Sequence, residues 1–539
     1  MSAARATTPS RGALVGFRPL LRVSLRQDLK GIAPWVLLIS ALSGSSVLVY
    51  PWIFPDQQSR AELAVTVATN PAFSLIFGPA RDLMSADGFN AWRAGALGGF
   101  FAGLMAILVV VRNSRAHEDS GQAELIASGV VGRQTRLGVA VAIAWVASLI
   151  LGVLAPIVTI SLGGSFVDSV TLAATFTASG FMFSGVAALT AQLASDARSA
   201  SAMAVTVLGV AFVGRGFVDT IEAPEWTIWL TPLGWTQEVR VASDNRWWPL
   251  LVCLAFALGM ALIAAVVQAR RDFGLGLVPP RPGPSRAGLS ASPWMLALRL
   301  NRAAVASWMF ALAALGVVFG FLATTVGDLL VDNPQFAQIV AAGGASEEAL
   351  TFEFLVTLLK LVGIIGAVFG VSLAVRVHAE EVEHRVEPLL ATALSRPRYL
   401  ASNAVVAWVA PAVAVTLAGT TLAVTASAVK PSVQVADVLQ QALATIPATL
   451  THVALALALV GAEPSRRFAA WMAVVASFVL TILGPLFTLR DWVLGISPFW
   501  HVPNVVRTSP DWSGLGWLAL FVAGFTAVAF AGFRRRDVG

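Results

Sequence analysis

Long apolar segments separated by short polar loops run through the whole chain. A helix needs about 20 apolar residues to cross the hydrocarbon core of a bilayer, and about twelve segments are that long. They lie near 32–53, 91–111, 137–162, 168–193, 201–219, 248–268, 303–325, 354–376, 401–428, 437–461, 469–487 and 514–533. The pattern predicts an all-α integral membrane protein with about twelve transmembrane helices.

A segment rich in proline, glycine and serine lies at the middle of the chain, over 274–292. Such a composition between two apolar regions is typical of a linker. The sequence therefore predicts a first transmembrane half over 1–273, a cytoplasmic linker over 274–292, and a second transmembrane half over 293–539. Each half contains six of the predicted spans.

The two halves repeat one another. A single offset of 263 residues superposes Glu118 on Glu381, Glu124 on Glu387 and Leu137 on Leu400, and it also superposes Asn70-Pro71 on Asn333-Pro334. Because each half has an even number of spans, the second half enters the membrane in the same orientation as the first. We therefore expect two parallel six-helix repeats related by an axis along the membrane normal.

The charge distribution agrees with a membrane protein. The chain is 57% hydrophobic and only 12% charged, which excludes a soluble domain. A net charge of +6 might suggest nucleic-acid binding, but the arginines lie in short loops between spans, where the positive-inside rule explains them. We expect no nucleic-acid partner, a multi-pass protein of the plasma membrane, and a cytoplasmic location for both termini.

An amphipathic segment over 17–31 precedes the first span. Leu21, Leu25 and Leu29 recur every four residues, and a basic stripe of Arg18, Arg22, Arg26 and Lys30 runs beside them. Such a helix suits the cytoplasmic headgroup layer, so we predict an interfacial elbow helix there. An ordinary cytosolic helix is the alternative.

Two charged loops, over 112–136 and 377–399, occupy equivalent positions in the halves. The first carries Glu118, Asp119 and Glu124, and the second carries Glu380, Glu381, Glu383 and Glu387. Acidic, helix-favouring loops on one side of the membrane predict docking of a two-fold soluble partner. A solvated connector is the alternative, although it would not require a repeated acidic pattern.

The chain lacks the residues for nucleotide, metal or catalytic chemistry. A phosphate-binding loop needs Gly-Lys-Ser/Thr, and none of the three lysines, Lys30, Lys360 and Lys430, follows a glycine. His378 and His384 are six residues apart and do not share a helical face, and the chain has a single cysteine, Cys253. We expect no cofactor, metal or catalytic site in this chain, so any energy source would lie in a partner.

Several residues within spans are candidates for packing or transport. Gly99 and Gly103, like Gly366 and Gly370, form GxxxG pairs that allow helices to approach closely. Phe100, Phe101, Met105 and Phe212 could line an apolar substrate pathway, or could simply pack. Arg215, near the end of the fifth span, is expected to reach toward the headgroups, and no carboxylate lies at mid-membrane for proton coupling.

These features together resemble the ABC-2 type exporter permeases. Members have six spans per half, an elbow helix, and a coupling helix between the second and third spans. Glu118, Gly121, Glu124-Leu125 and Arg133 fit the family loop, as do Glu381, Glu387, Leu389-Leu390 and Arg396. His384 takes the place of the glycine in the second loop and Pro388 follows the glutamate, so that loop is expected to differ in shape.

Two fused halves without an ATPase resemble the actinobacterial antibiotic and multidrug export permeases of the tetronasin-export type. The resemblance implies a separately encoded ABC ATPase, bound as two copies and supplying ATP and Mg. It also implies alternating access through a cleft formed by the second and fifth spans of each half, at 91–111, 201–219, 354–376 and 469–487.

The sequence thus predicts the membrane subunit of an ATP-driven exporter of hydrophobic or amphipathic compounds such as drugs and antibiotics. One alternative is a proton-driven multidrug transporter of the major-facilitator type, which also has two parallel six-span repeats. Another is a scaffold for export of envelope lipid or polymer, with no transport of its own.

Overall fold

The computed structural model describes residues 14–69, 71–121, 131–132, 134–220, 224–271, 276–278, 292–331, 347–483, 490–507 and 509–536. All regular structure within these ranges is helical, and twelve of the helical segments are long and apolar enough to cross a membrane. The protein is therefore an all-α integral membrane protein, as the hydrophobic pattern predicted. Each of the twelve predicted segments falls on one of these helices.

The first six long helices are α1 (Phe17–Ile53), α2 (Ala86–Val111), α3 (Thr135–Ser161), α4 (Phe166–Leu193), α5 (Ala197–Thr220) and α6 (Trp248–Arg270). The last six are α7 (Pro293–Val331), α8 (Glu347–Val382), α9 (Arg396–Val429), α10 (Val435–Ala462), α11 (Phe468–Phe478) and α12 (Ser513–Arg535). A π-helical turn, Arg112–Ala116, and a short turn, His117–Asp119, extend α2, and another π-helical turn, Val479–Leu483, extends α11.

Contacts divide the chain into two compact units, Met1–Pro282 and Gly283–Gly539, and this boundary lies inside the proline-rich segment 274–292. In the first unit α1 packs on α3, α2 on α4, and α4 on α6. In the second unit the corresponding pairs pack in the same way: α7 on α9, α8 on α10, and α10 on α12. The halves therefore repeat in helix packing as well as in sequence.

Aromatic side chains and small residues form the core of each unit. Phe176 and Phe183 are fully buried in the first unit, and Phe369, Phe499 and Phe533 in the second. Lipid is as apolar as these side chains, so close packing rather than removal from water holds such helices together. Both cores accordingly rely on glycines at the closest helix contacts.

Three of the four GxxxG glycines lie at tight contacts. A Cβ at Gly103 would come within 2.8 Å of Phe183, and one at Gly366 within 2.6 Å of Val415. A Cβ at Gly370 would overlap Val453. Gly99 differs, because its Cβ would meet only the Cβ of Ser179 at 4.0 Å, an ordinary contact distance. Gly99 still contacts α4, because its carbonyl oxygen accepts from Ser179 Oγ at 2.6 Å.

The segment 17–31 is helical, but it is the beginning of the continuous helix α1 and not a separate helix. Its apolar stripe, including Leu21 and Leu25, packs against the core of the first unit. The basic residues Arg18, Arg22 and Arg26 are exposed. The apolar face of this segment therefore packs against protein, and the basic face points away from it.

Candidate functional site

The first charged loop begins with a buried ion cluster at the end of α2. The carboxylate of Glu118 accepts from Arg115 Nη1 at 2.7 Å, from Arg136 Nη2 at 2.6 Å and from Arg271 Nη2 at 2.7 Å. Only 5% of the Glu118 side chain is exposed, and the Arg115 side chain is fully buried. We call these four residues the first loop cluster.

The first loop cluster joins three helices of the first unit. Arg115 and Glu118 lie on the extension of α2, Arg136 lies in the first turn of α3, and Arg271 immediately follows α6. Arg115 Nη2 also donates to the backbone oxygen of Ser195, between α4 and α5, at 2.6 Å. Because removing one member of a buried ion pair leaves an uncompensated charge, losing Glu118 should cost about 3–5 kcal/mol.

The second loop contains an equivalent arrangement. Glu381 accepts from Arg536 Nη2 at 2.6 Å, and its other close neighbour is His378 Nδ1 at 3.2 Å. Arg396 Nη1 donates to the backbone oxygen of Arg536 at 3.0 Å. Only 6% of the Glu381 side chain is exposed. We call His378, Glu381, Arg396 and Arg536 the second loop cluster.

The two clusters correspond at three positions, whereas the 263-residue offset pairs Arg396 with Arg133 and not with Arg136. His378 stands where the first unit has Arg115, and both pair with a glutamate three residues later. Arg536 follows α12 as Arg271 follows α6. In each unit, therefore, a buried glutamate beside the loop ties the end of the second span to the end of the sixth.

A second pair of equivalent contacts ties the first span of each unit to the second. In the first unit Asn113 donates to Asp28, which also forms an ion pair with Arg112 at 2.6 Å. In the second unit Arg376 Nη1 donates to Asn301 Oδ1 at 2.9 Å. The 263-residue offset relates Asn113 to Arg376. An elbow offset of 273 residues, which superposes Leu25-Arg26 on Leu298-Arg299, relates Asp28 to Asn301, although the residue types differ.

The helices also end in the same way in both loops. Gly121 has φ +74° and its N–H donates to the carbonyl of Glu118 at 3.2 Å. His384 has φ +56° and its N–H donates to the carbonyl of Glu381 at 2.9 Å. Left-handed residues commonly end helices. At this turn the histidine adopts the conformation that glycine has in the first loop. The expected difference in shape of the rest of the loop concerns residues 122–130, which lie outside the described residues.

The other acidic loop residues are more accessible. Glu380 binds Arg376 at 3.2 Å and lies beside Arg385 at 3.5 Å. Glu387 begins the short helix Glu387–Leu390, and 54% of its side chain is exposed. Asp119 accepts from the backbone N–H of Ala197, the first residue of α5, at 2.6 Å. Glu124 and Arg133 lie outside the described residues.

The predicted pathway residues separate into two groups. The rings of Phe100 on α2 and Phe212 on α5 meet edge to face with centroids 5.1 Å apart, and Phe101 contacts both Phe100 and Trp35. Met105 is fully buried in the core of the first unit, which gives it a packing role. Phe100 and Phe212 thus lie on the contact between the second and fifth spans, where the resemblance puts the pathway.

Arg215 does not reach toward headgroups as expected. Its side chain is 3% exposed and lies 3.3 Å from Asp219, with further hydrogen bonds to Gln237 and to the carbonyl oxygens of Leu75 and Ile76. These partners come from segments far apart in the sequence, which is why the apolar pattern gave no sign of them. Buried charges in membranes are usually held by such partners.

Sequence reasoning found the glutamates of both clusters but missed Arg271 and Arg536. The repeat contained a usable signal, since each arginine directly follows the sixth span of its half. Asp28 and Asn301 were also missed, although the elbow offset of 273 residues relates them. Within the described ranges, no group of three or more His, Cys, Asp or Glu residues is arranged to hold a metal ion.

Comparison with known proteins places these features in a family. Residues 61–268 and 291–534 match the family described as "Multidrug efflux system permease Rv1217c, C-terminal domain". The chain is also 35% identical over 537 residues to the multidrug efflux system permease protein Rv1217c of Mycobacterium tuberculosis (strain ATCC 25618 / H37Rv), a match that covers 98% of this chain and 97% of that relative. With its twelve membrane-spanning candidates and two repeated units, the chain belongs to the Rv1217c family of multidrug efflux permeases.

Proposed function

We propose that this chain is the membrane subunit of an ABC-2 type exporter that moves hydrophobic or amphipathic compounds, including drugs, out of the cell. The observation that carries the proposal is the pair of charged loops, which are anchored through equivalent buried glutamates in the two units. The family membership supports efflux of drugs. The fused two-half form resembles the tetronasin-type export permeases.

The energy source in this proposal is a separately encoded ABC ATPase bound as two copies, one at each loop. The three lysines of the chain offer no phosphate-binding loop, so ATP and Mg belong to the partner. A duplicated loop is the arrangement that a two-fold partner requires. Binding of ATP by that partner would draw the loops together, and hydrolysis would let them separate.

The buried and exposed glutamates have different roles in this mechanism. Glu118 and Glu381 are committed to ion pairs inside their own units, so they position the loops and do not contact the partner directly. The accessible residues, such as Glu383 and Glu387, are the ones that can contact a positively charged groove. Movement of a loop would then displace the second and sixth spans of its unit together.

Substrate would move by alternating access along the second and fifth spans of each half. In the first unit these are α2 and α5, which meet at Phe100 and Phe212. An aromatic contact between two spans can rearrange without breaking a hydrogen bond, which suits a pathway for apolar compounds. We expect Phe212→Ala to change which drugs are exported and to leave assembly with the ATPase intact.

The test is a mild-detergent purification of the full chain from its native host, followed by mass spectrometry and measurement of stoichiometry. The expected result is a P-loop ATPase at about two copies per chain, with ATPase activity that drugs stimulate. A chain that purifies alone, and exports drugs in vesicles energised only by a proton gradient, would overturn the proposal. An ATPase partner without any drug stimulation would favour a scaffold for lipid or polymer export.

One observation favours proton-driven transport as a second candidate. His452 on α10 is 2% exposed, its Nε2 lies 2.9 Å from Ser477 Oγ near α11, and its ring stacks on Phe499. Buried ionisable groups within spans carry protons in many transporters. If this candidate were correct, His452→Gln would abolish efflux driven by a proton gradient. Efflux driven by ATP should survive the same substitution.

A further inference from the structure

A cleft opens in the first unit at the end of α2 opposite the first loop cluster. Its cavity volume is about 80 Å³, and the cavity is partly open to the surroundings. Its walls come from α2, α4 and α5, from the loop that precedes α2, and from the short helix Pro232–Gln237. The two charged loops do not line this cleft, so coupling to a partner does not explain the cleft.

Arg215 lines this cleft and has one hydrogen-bond donor to spare. Its Nη1 donates to Asp219 and Gln237, and its Nη2 to the carbonyl oxygens of Leu75 and Ile76. The Nε–H is buried and has no acceptor within the part of the chain that the structure describes. Leaving a buried donor of a charged group unsatisfied costs at least about 1–3 kcal/mol, so an incoming acceptor would be favoured here.

Two more guanidinium groups line the same cleft. Arg81 and Arg240 both bind Glu238, at 3.1 and 3.0 Å, and Arg240 also lies 3.7 Å from Asp244. Asp82 is the one carboxylate of the lining, and it already accepts from Ser85 and from the backbone N–H of Met84. Burial lowers the pKa of Arg81, and the charge of Glu238 opposes that effect. A partly desolvated arginine gains from the approach of an anion.

The floor of the cleft is formed by small residues of α2. A Cβ at Gly95 would meet only Leu172, at 3.8 Å, and a Cβ at Gly99 would meet only Ser179, at 4.0 Å. Gly98 on the other side of the helix is tightly packed, since its Cβ would come within 2.5 Å of Phe176. Gly95 and Gly99 therefore leave side-chain space open, although the carbonyl oxygen of Gly99 accepts from Ser179 Oγ of α4 at 2.6 Å.

We propose that this cleft binds the anionic head group, such as a carboxylate, of an amphipathic compound, whose hydrocarbon part lies along Gly95, Ala96 and Gly99. Arginine forks match carboxylate geometry, and the walls beside them include the rings of Phe77 and Trp92. The proposal names a substrate class for the proposed exporter and rests on that function for its role in transport. Binding itself requires no ATPase.

The test measures binding to the purified full chain in nanodiscs of zwitterionic lipid. The probes are dansyl-labelled dodecanoic acid and its methyl ester, at an alkaline pH where the acid is ionised, with empty nanodiscs correcting for partition into lipid. The acid is expected to bind about tenfold or more tightly than the ester, since charge-assisted hydrogen bonds contribute about 1.5–3 kcal/mol.

Three variants locate the site. Gly99→Leu fills the floor and should weaken binding of both probes about tenfold, the equivalent of about 1.4 kcal/mol. Gly209→Leu on α5 is the matched control, because a Cβ there would meet no atom within 4 Å, and it should bind like the natural chain. Arg81→Gln should remove the preference for the acid and leave ester binding unchanged. Arg81 is the better choice than Arg215, whose buried ion pair is needed for folding.

Equal affinities for acid and ester, or unchanged binding in Gly99→Leu, would overturn the proposal and would indicate nonspecific partition or a cleft filled with water only. These outcomes are independent of the ATPase test. A chain that binds the acid but has no ATPase partner retains the site and loses the exporter assignment. A chain with the partner but without acid binding retains the exporter assignment and loses the site.

Discussion

Backbone conformation, and not side-chain space, determines which residue is tolerated at position 121. Gly121 has φ +74°, yet an added Cβ would meet no atom of the described residues within 4 Å. A β-branched residue in the left-handed region costs about 1–2 kcal/mol, whereas asparagine adopts it more readily. Gly121→Val should therefore lower both the unfolding temperature and the drug-stimulated ATPase activity. Gly121→Asn should lower neither. Equal behaviour of the two variants, compared by thermal unfolding in detergent and by ATPase assay, would contradict this.

At the equivalent position in the second loop, we expect a substitution to have little effect. His384 holds φ +56° with a side chain that is 72% exposed, and its contact with Glu387 is similarly exposed. An exposed pair contributes about 0–1 kcal/mol, comparable to the strain that glycine would relieve. His384→Gly should leave both unfolding temperature and transport close to those of the natural chain. A large loss of transport would show that the imidazole contacts the partner itself.

Sequence reasoning succeeded at residues whose role depends on the repeat and failed where partners are distant. Glu118 and Glu381 were located because one offset relates them, but they were assigned to docking of a partner, whereas both side chains are buried in ion pairs of their own unit. Arg215 was misjudged because its partners, among them Gln237 and two backbone carbonyls, come from segments that only the folded unit brings together. Gly99 was assigned to packing from its spacing alone, which gave no sign that this glycine also lines a cleft.

Among the helices, the second and sixth spans of the second unit are linked by a buried ion pair. Glu381 and Arg536 join α8 to the end of α12, and both side chains are largely buried. Glu381→Arg places two cations together and should reduce drug-stimulated ATPase activity and transport about tenfold or more, because disrupting such a pair costs about 3–5 kcal/mol. The double variant Glu381→Arg with Arg536→Glu should recover a substantial part of both activities.

The matched control for this exchange is an exposed pair in the same loop. Glu383 and Arg385 lie 2.6 Å apart with 47% and 56% of their side chains exposed, so their interaction is worth about 0–1 kcal/mol. Exchanging these two charges should leave stability unchanged. Copurification of the ATPase with every variant separates a loss of coupling from a loss of assembly. If exchanging the charges of Glu381 and Arg536 recovers neither activity while the ATPase stays bound, the positioning role of this ion pair is wrong.

The extent of each helix was predictable to different degrees. The twelve spans follow from apolar composition, which is local to each segment, and the helices contain all of them. The elbow segment was expected to be separate, but nothing between 17 and 53 ends the helix, and Pro34 is accommodated within it. The π-helical turn Arg112–Ala116 that directs Arg115 and Glu118 into the cluster has no sequence signature of its own.

The molecule as a whole repeats its scaffold but not all of its chemistry. Helix pairs, loop clusters and the left-handed residues recur in both units, so the fold and the loop positions could be inferred from the repeat. The arginine-lined cleft involves residues of the first unit whose counterparts differ: the offset of 266 residues that relates Pro232 to Pro498 places Thr481 opposite Arg215. One half can therefore supply selectivity for a head group while both halves supply coupling.

Coupling through both loops leads to a prediction that only the whole molecule can test. Glu387 is 54% exposed, and the repeat places Glu124 at the equivalent position in the first loop. Reversing either charge alone should impair one of two docking sites and lower ATP-driven efflux in part. Reversing both should abolish efflux, while size-exclusion and thermal unfolding profiles stay unchanged because the exposed charge of Glu387 contributes little to folding. Efflux that survives in the double variant would contradict docking through these residues. Loss of efflux together with loss of the copurified ATPase would place the defect at the partner contact, whereas the Glu381→Arg variant is expected to retain the ATPase and lose only coupling.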